Sequence, residues 1–242
     1  MPISKLLEGF ATFRSTYTGE GSLYAELVEK GQSPETLVIA CSDSRNDPAL
    51  LMQSQPGDIF VVRNVAAIVP PYQPDNHYHG TSAAIEFAVK GLKVRNIVVL
   101  GHALCGGVRA LAHDDGQNHF EFLDNWVRVG IATRDAIMAG LKDADEAVRL
   151  RALEQAMILT SLNNLMTFPW IAAQVEQEKL HLYGWYFDMG AGQMMDYDYA
   201  QGTFINAQAR PDWLSGDVTH TGECCARFAQ HFAQNLSRKP VK

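Results

Sequence analysis

The chain reads as an α/β fold: a central, mainly parallel β-sheet flanked by helices, with an N-terminal helical arm and a C-terminal helical region. Three observations predict it. Residues 36–40 and 96–100 are short, continuously apolar runs rich in β-branched side chains, the composition of parallel strands covered on both faces. Stretches with apolar residues three and four apart separate and follow them. Both runs also end in chemistry-bearing residues, VIACSDSR at 38–45 and IVVLGHALCGG at 97–107. Open parallel sheets gather ligands beyond the carboxyl ends of their strands.

Taken in order, Ile3, Leu6, Leu7, Phe10, Phe13 and Tyr17 recur at helical spacing and predict an amphipathic first helix whose apolar stripe must cover something, either its own domain or a neighbouring subunit. A second helix over 22–29 ends at Gly31, which supplies a left-handed C-terminal conformation. GQSP then turns the chain into the strand at 36–40. Asp47 followed by Pro48 is a helix start, an N-cap and then a proline at the first helical position, opening a short helix over 48–53. Residues 59–63 form a second strand leading to Asn64. The prolines and polar residues of 69–78 mark a surface loop free to move. A helix over 81–90, stopped by Gly91, precedes the strand at 96–100, and Cys105-Gly106-Gly107 starts the next helix. Residues 118–141 and 143–166 are helical in pattern, the second opening with Asp143 and Glu146 as a capping box and carrying two apolar faces. Pro169 begins another short helix, residues 180–188 alternate as a strand, and an extended stretch runs through Phe204 and Ile205.

With 242 residues, the chain fits one domain spanning 1–242, its helical arm covering about 1–31. Its 20 Lys and Arg against 27 Asp and Glu give a net charge of −7, no footprint for nucleic acid or an anionic membrane. Small molecules or proteins are the expected partners. No apolar run approaches the ~20 residues of a membrane helix, and the opening residues lack the pattern of a secretory signal, so a cytoplasmic protein is expected. The four cysteines, Cys41, Cys105, Cys224 and Cys225, are too sparse for a disulfide framework. Cys224 and Cys225 read as ordinary thiols near a C-terminal helix.

Cys41, His102 and Cys105 are a candidate zinc set. Two thiolates and an imidazole suit a tetrahedral ion, and three protein donors leave the fourth position of a catalytic site. At the start of a helix, Cys105 meets free N–H groups that favour its thiolate. Alternate residues leaving a strand point the same way, so Asp43 and Arg45 can share the face of Cys41. Three roles stay open for this pair: a structural ion pair, a carboxylate held by Arg45 to take a proton from a metal-activated water, or a carboxylate that binds zinc itself.

Together these motifs resemble those of the β-class carbonic anhydrases, particularly the plant-like branch. GQSP, CSDSR, QPGDIFVVRNVA, VPPY, AAIEFAV and NIVVLGHALCGG carry the likeness over residues 31–107, and GWYFD around Trp185 extends it more loosely. The resemblance implies one Zn²⁺ per subunit on Cys41, His102 and Cys105, and a catalytic dyad of Asp43 and Arg45. It implies a substrate pocket from Gln32, Phe60, Val65 and Phe87, built across the interface of a homodimer or a higher even oligomer. The implied reaction is reversible hydration of CO₂ to bicarbonate and a proton by a zinc-activated water. His77 and His79 are candidates to carry that proton, against the alternative of solvated loop histidines; no motif surrounds His113, His119, His181, His220 or His231.

This chain departs from the pattern at Phe87, where tyrosine is usual, and at Ala103, where serine is common. A bicarbonate-regulated branch carries tryptophan and tyrosine where Val38 and Phe187 stand here, so the resemblance implies an accessible zinc with Asp43 paired to Arg45. Two other functions use the same residues: hydrolysis of carbonyl sulfide or carbon disulfide, and a non-catalytic zinc-stabilised binding protein. The intact dyad argues against the second.

Overall fold

A computed structural model describes residues 1–209. The chain opens with α1 (Ile3–Tyr17) and α2 (Leu23–Lys30). Ser22 caps α2, its Oγ accepting from the Ala25 amide at 3.3 Å, and Gly31 ends it at φ +76°, where a side chain would be strained. After β1 (Thr36–Cys41) comes α3 (Pro48–Met52), entered as the sequence predicts: Asp47 accepts from the Leu50 amide at 3.1 Å and Pro48 takes the first position. Next are β2 (Ile59–Asn64), α4 (Gly80–Glu86), β3 (Asn96–His102) and α5 (Gly106–Ala112). Then follow α6 (Leu123–Val127), α7 (Ile131–Gly140), α8 (Glu146–Met166), α9 (Pro169–Glu176), β4 (His181–Asp188), β5 (Gln193–Asp198) and β6 (Thr203–Asn206).

The strands form one sheet in the order β2-β1-β3-β4-β5-β6. The first four are parallel, and β5 and β6 extend the sheet antiparallel. This is the predicted mainly parallel α/β architecture. The expected C-terminal helical region, with His220, Cys224, Cys225 and His231, lies outside the described residues. From β1 the chain steps to β2 on one side and returns to β3 on the other. That reversal opens a crevice between the carboxyl ends of β1 and β3, the usual ligand position of such sheets.

The larger core lies where α8 packs on the sheet, with Leu37, Ile39, Ile97 and Val99 against Leu153, Ile158 and Leu162. Two glycines bring that helix close. A β-carbon at Gly101 would sit 2.7 Å from Ile158 Cγ1, and one at Gly184 would sit 3.0 Å from Leu162 Cδ1. A second cluster, Val38, Ala40, Val98 and Leu100, is joined by the half-buried Tyr183, Trp185 and Phe187.

Several local expectations are corrected. The predicted helix over 118–141 begins only at Leu123, because the Asp124 carboxylate accepts the His119 and Phe120 amides at 2.6 and 2.8 Å and holds them in a turn. It breaks again at a 3₁₀ turn, Arg128–Gly130, where a β-carbon on Gly130 would collide with Met157 of α8. The capping box of Asp143 and Glu146 does not form. Asp145 is the N-cap residue of α8, Glu146 stands at the first helical position, and its carboxylate instead meets His113 Nε2 at 3.2 Å.

Nor does Gly91 stop the helix at 81–90. That helix ends as a π turn, Phe87–Leu92, running through Gly91, whose missing side chain seats the Phe87 ring: a β-carbon there would lie 3.2 Å from Phe87 Cδ2. The loop at 69–78 lacks regular structure as expected, yet its start is fastened to α8. Ser161 Oγ accepts from the Val69 amide at 3.1 Å, and Asn164 Nδ2 donates to the Val69 carbonyl at 2.8 Å.

Candidate metal centre

Cys41 ends β1, His102 ends β3, and Cys105 precedes α5 as its N-cap residue, so all three predicted donors reach the crevice. Their ligand atoms lie within 4.8 Å of one another and all three residues are buried. Among the described residues this is the only such group of histidine, cysteine and acidic side chains. The two sulfurs are 3.9 Å apart, against about 3.8 Å for two thiolates on one tetrahedral zinc. His102 Nδ1 is engaged with the Ala103 carbonyl at 2.8 Å, which sets the ring and leaves Nε2 buried with no hydrogen-bond partner. An orphaned imidazole nitrogen facing a pair of thiols is the donor set zinc takes, so the residues fit the ion.

The backbone around the donors is held in unusual conformations. Ala66 and Ala67, in the turn after β2, have φ of +67° and +53°, and Leu104 has φ of +59°, a region that costs a side-chain-bearing residue energy. The bends at Ala66 and Leu104 serve the crevice. The Ala66 amide donates to Cys41 Sγ at 3.3 Å, as does the Asp43 amide at 3.4 Å. The two thiols lie within hydrogen-bonding reach of one another, and burial acts on both. The Cys41 pKa is held down to about 4, the hydrogen bond with Cys105 outweighing burial and the His102 side chain and two amides adding to it. Cys105 is pushed up by the same bond and by burial. His102 is lowered by burial but raised on balance by its contact with Cys41 and the Ala103 carbonyl.

Asp43 and Arg45 do meet, though not through strand alternation, since β1 ends at Cys41. Asp43 instead closes a tight side-chain turn, its Oδ1 accepting from the Arg45 amide at 2.9 Å. The guanidinium then grips both carboxylate oxygens, Nε to Oδ1 at 3.0 Å and Nη2 to Oδ2 at 2.8 Å. These bonds hold the Asp43 carboxyl well below the usual carboxylate range. Arg45 also donates to the Leu104 carbonyl at 3.3 Å, tying the dyad to the loop that bears Cys105. Arg63, which the sequence did not single out, clamps the same stretch, donating to the carbonyls of Cys41 and Asp43 at 3.0 and 2.7 Å and to Asp47 Oδ2 at 2.9 Å.

A family model described as carbonic anhydrase matches residues 36–194. This chain belongs to the β-carbonic anhydrase family. It is 38% identical over 208 residues to a carbonic anhydrase of Pseudomonas aeruginosa, covering 86% of this chain and 93% of that protein. The solved β-carbonic anhydrase CcaA superposes with a TM-score of 0.78 at 33% identity, over 84% of this chain and 98% of that one. A structure from a study of two tetrameric β-carbonic anhydrases of Sordaria macrospora gives a TM-score of 0.67 at 31% identity, over 80% and 92% of the two chains.

The residues that the β-carbonic anhydrase resemblance assigned to a pocket are only partly gathered. The Phe60 and Phe87 rings lie 5.9 Å apart, and Val65 is fixed by Trp126, whose indole N–H donates to the Val65 carbonyl at 2.8 Å. Gln32 is exposed between α2 and β1, and no hydrogen bond among the described residues holds its amide. His77 and His79 both turn to Asp75, at 3.1 and 2.7 Å, in the exposed part of their loop.

Behind the ligands lies Glu154, which the sequence hid within the apolar pattern of α8. Only 7% exposed, it accepts from the Cys105 amide at 3.1 Å and from the Tyr186 hydroxyl at 2.8 Å. A charged residue flanked by Leu153, Met157 and Ile158 was the available signal.

Proposed function

We propose that this chain hydrates carbon dioxide reversibly to bicarbonate and a proton, as a member of the plant-like branch of its family. The observation that carries the reading is the meeting, at one crevice, of a three-donor metal set with a carboxylate whose oxygens are both held by a guanidinium. Cys41, His102 and Cys105 hold zinc, which as a Lewis acid makes water acidic enough to act as a nucleophile near neutral pH.

The chain's own groups do the rest. Asp43, kept ionised by Arg45, accepts a hydrogen bond from the attacking oxygen and turns its lone pair toward carbon. The aromatic pair of Phe60 and Phe87, with Val65, gives a nonpolar gas an apolar seat, and Gln32 donates to a substrate oxygen. The new C–O bond converts CO₂ and water to bicarbonate, and the proton passes to solvent buffer.

Val65 and Phe87 are 38% and 52% exposed, and the apolar stripe of α1 is bare, with Ile3, Leu7 and Phe10 between 59% and 71% exposed. Both surfaces call for a second copy, so the working form is a homodimer or a larger even assembly. A cytoplasmic location is part of the same proposal.

Stopped-flow CO₂ hydration with a pH indicator, on zinc-quantified protein, tests the reading, with carbon disulfide and carbonyl sulfide as rival substrates. Fast hydration that rises toward alkaline pH is expected. Zinc-loaded protein that turns over only a sulfur substrate reassigns the site, and protein inert to all three makes it a structural one.

A further inference from the structure

The loop from His102 to Cys105 is fixed on its outer side by Arg45, through the Leu104 carbonyl. On its inner side it meets a single buried carboxyl. Gly101 and Gly184 let α8 lie close over β3 and β4, and this approach puts Glu154 directly behind the loop. Its Oε1 accepts from the Cys105 amide at 3.1 Å and its Oε2 from Tyr186 Oη at 2.8 Å. Tyr186 is itself 1% exposed and its strand pairs with β3, Gly101 opposite Tyr186. The chain of contacts therefore runs from the sheet, through a phenol and a carboxyl, to the backbone of a metal donor. The reaction gives Glu154 no part, yet burying a carboxyl is costly unless its hydrogen bonds matter.

We propose that Glu154 is a positioning residue for the metal centre: it holds the left-handed bend at Leu104 and aims the Cys105 sulfur at the ion, with Tyr186 as its brace. The inference rests on zinc binding by Cys41, His102 and Cys105. Outer partners of metal ligands commonly change affinity about 10–100-fold when lost. Here the hold acts on the ligand's backbone amide, so it sets where the sulfur sits. Burial also pushes the Glu154 pKa up, against the Tyr186 hydroxyl and the Cys105 and Leu104 amides.

The test compares full-length wild type, Glu154→Gln, Glu154→Met and Tyr186→Phe. Two readouts are taken besides activity: the rate of zinc loss to a chelator, and the thiolate-to-metal absorption of the Co²⁺-substituted protein. A cavity of about 270 Å³ lined by Leu104, Arg109, Arg151, Glu154 and Tyr186 gives methionine room without overpacking. Glu154→Met is expected to lose zinc about 10–100-fold faster, with a shifted cobalt band. Glu154→Gln, which can still accept from Cys105 and donate to the phenol oxygen, should stay within about threefold of wild type and keep the wild-type band.

Should Glu154→Met fail to fold, Tyr186→Phe decides. Removing only the brace, it should speed zinc loss severalfold and broaden the band. Wild-type behaviour in every foldable variant overturns the proposal, as does a glutamine variant as leaky as the methionine one. If wild type itself binds neither zinc nor cobalt through thiolates, the metal reading has failed instead.

Discussion

Cys41, His102 and Cys105 are between 1% and 5% exposed, while Val65 and Phe87, on neighbouring segments, are 38% and 52% exposed. The first set is enclosed by its own chain: two amides reach the Cys41 sulfur, a carbonyl orients His102, and Glu154 backs Cys105. The second set is anchored by Phe60, Trp126 and Gly91 but leaves its apolar side chains part-exposed to water. The three metal donors are thus enclosed by one folded chain, whereas the proposed substrate pocket stands open on that chain and calls for a second copy to close it. Metal binding and assembly can therefore be disturbed separately.

The largest effect should come from the cage. Cys105→Ser removes a thiolate, so zinc content should fall toward zero by atomic absorption and hydration should drop to background. Full zinc occupancy in that variant would mean the cage is some other set. Asp43→Asn keeps the donors but removes the charge beside them, and kcat/KM should fall on the order of 10²–10⁴-fold with zinc retained.

Arg45→Leu separates pairing from proximity. Arg45 lowers the Asp43 pKa, so its loss raises that pKa, the carboxylate is protonated at a higher pH, and the acid limb of the pH–rate profile moves up. An unmoved limb would show that the guanidinium does not set the charge of Asp43. On the open side of the comparison, Leu7→Glu with Phe10→Glu charges the bare stripe of α1. Each apolar side chain buried there contributes about 1.5–3 kcal/mol, so sedimentation should show smaller species, with zinc content unchanged. Zinc lost together with assembly would erase the distinction between the two regions. Smallest of all, Phe87→Tyr adds one hydroxyl at the pocket edge and should change KM by less than about tenfold.

The enclosed region was also the more legible one. Cys41 and His102 end buried strands, and strand ends can be read from continuous apolar runs, so topology alone brings them to one crevice. The spacing H-x-x-C then places Cys105 at a helix start. What escaped was everything set by contacts across the sequence. No local pattern announces that Ala66 and Ala67 adopt left-handed conformations, because alanine has no preference for them and contacts with the Cys41 sulfur, with Ser161 of α8 and with the Asn64 side chain that closes the turn hold them there. Glu154 vanished into an apolar helix for the same reason. Gly91 was read as a stop when its role is to seat Phe87, since a missing side chain means one thing in a local pattern and another beneath an aromatic ring. Asp43 and Arg45 were expected to share a face through strand alternation, and a side-chain turn pairs them instead.

The separation of the donors along the chain has a further meaning during synthesis. Cys41 and Cys105 are 64 residues apart, and Glu154 follows Cys105 by another 49. At about 5–20 residues per second, the ribosome completes the thiolate pair roughly 2–10 s before it makes the residue that backs it. If Glu154 positions the Cys105 sulfur, the finished geometry of the site waits on the step in which α8 closes over the sheet.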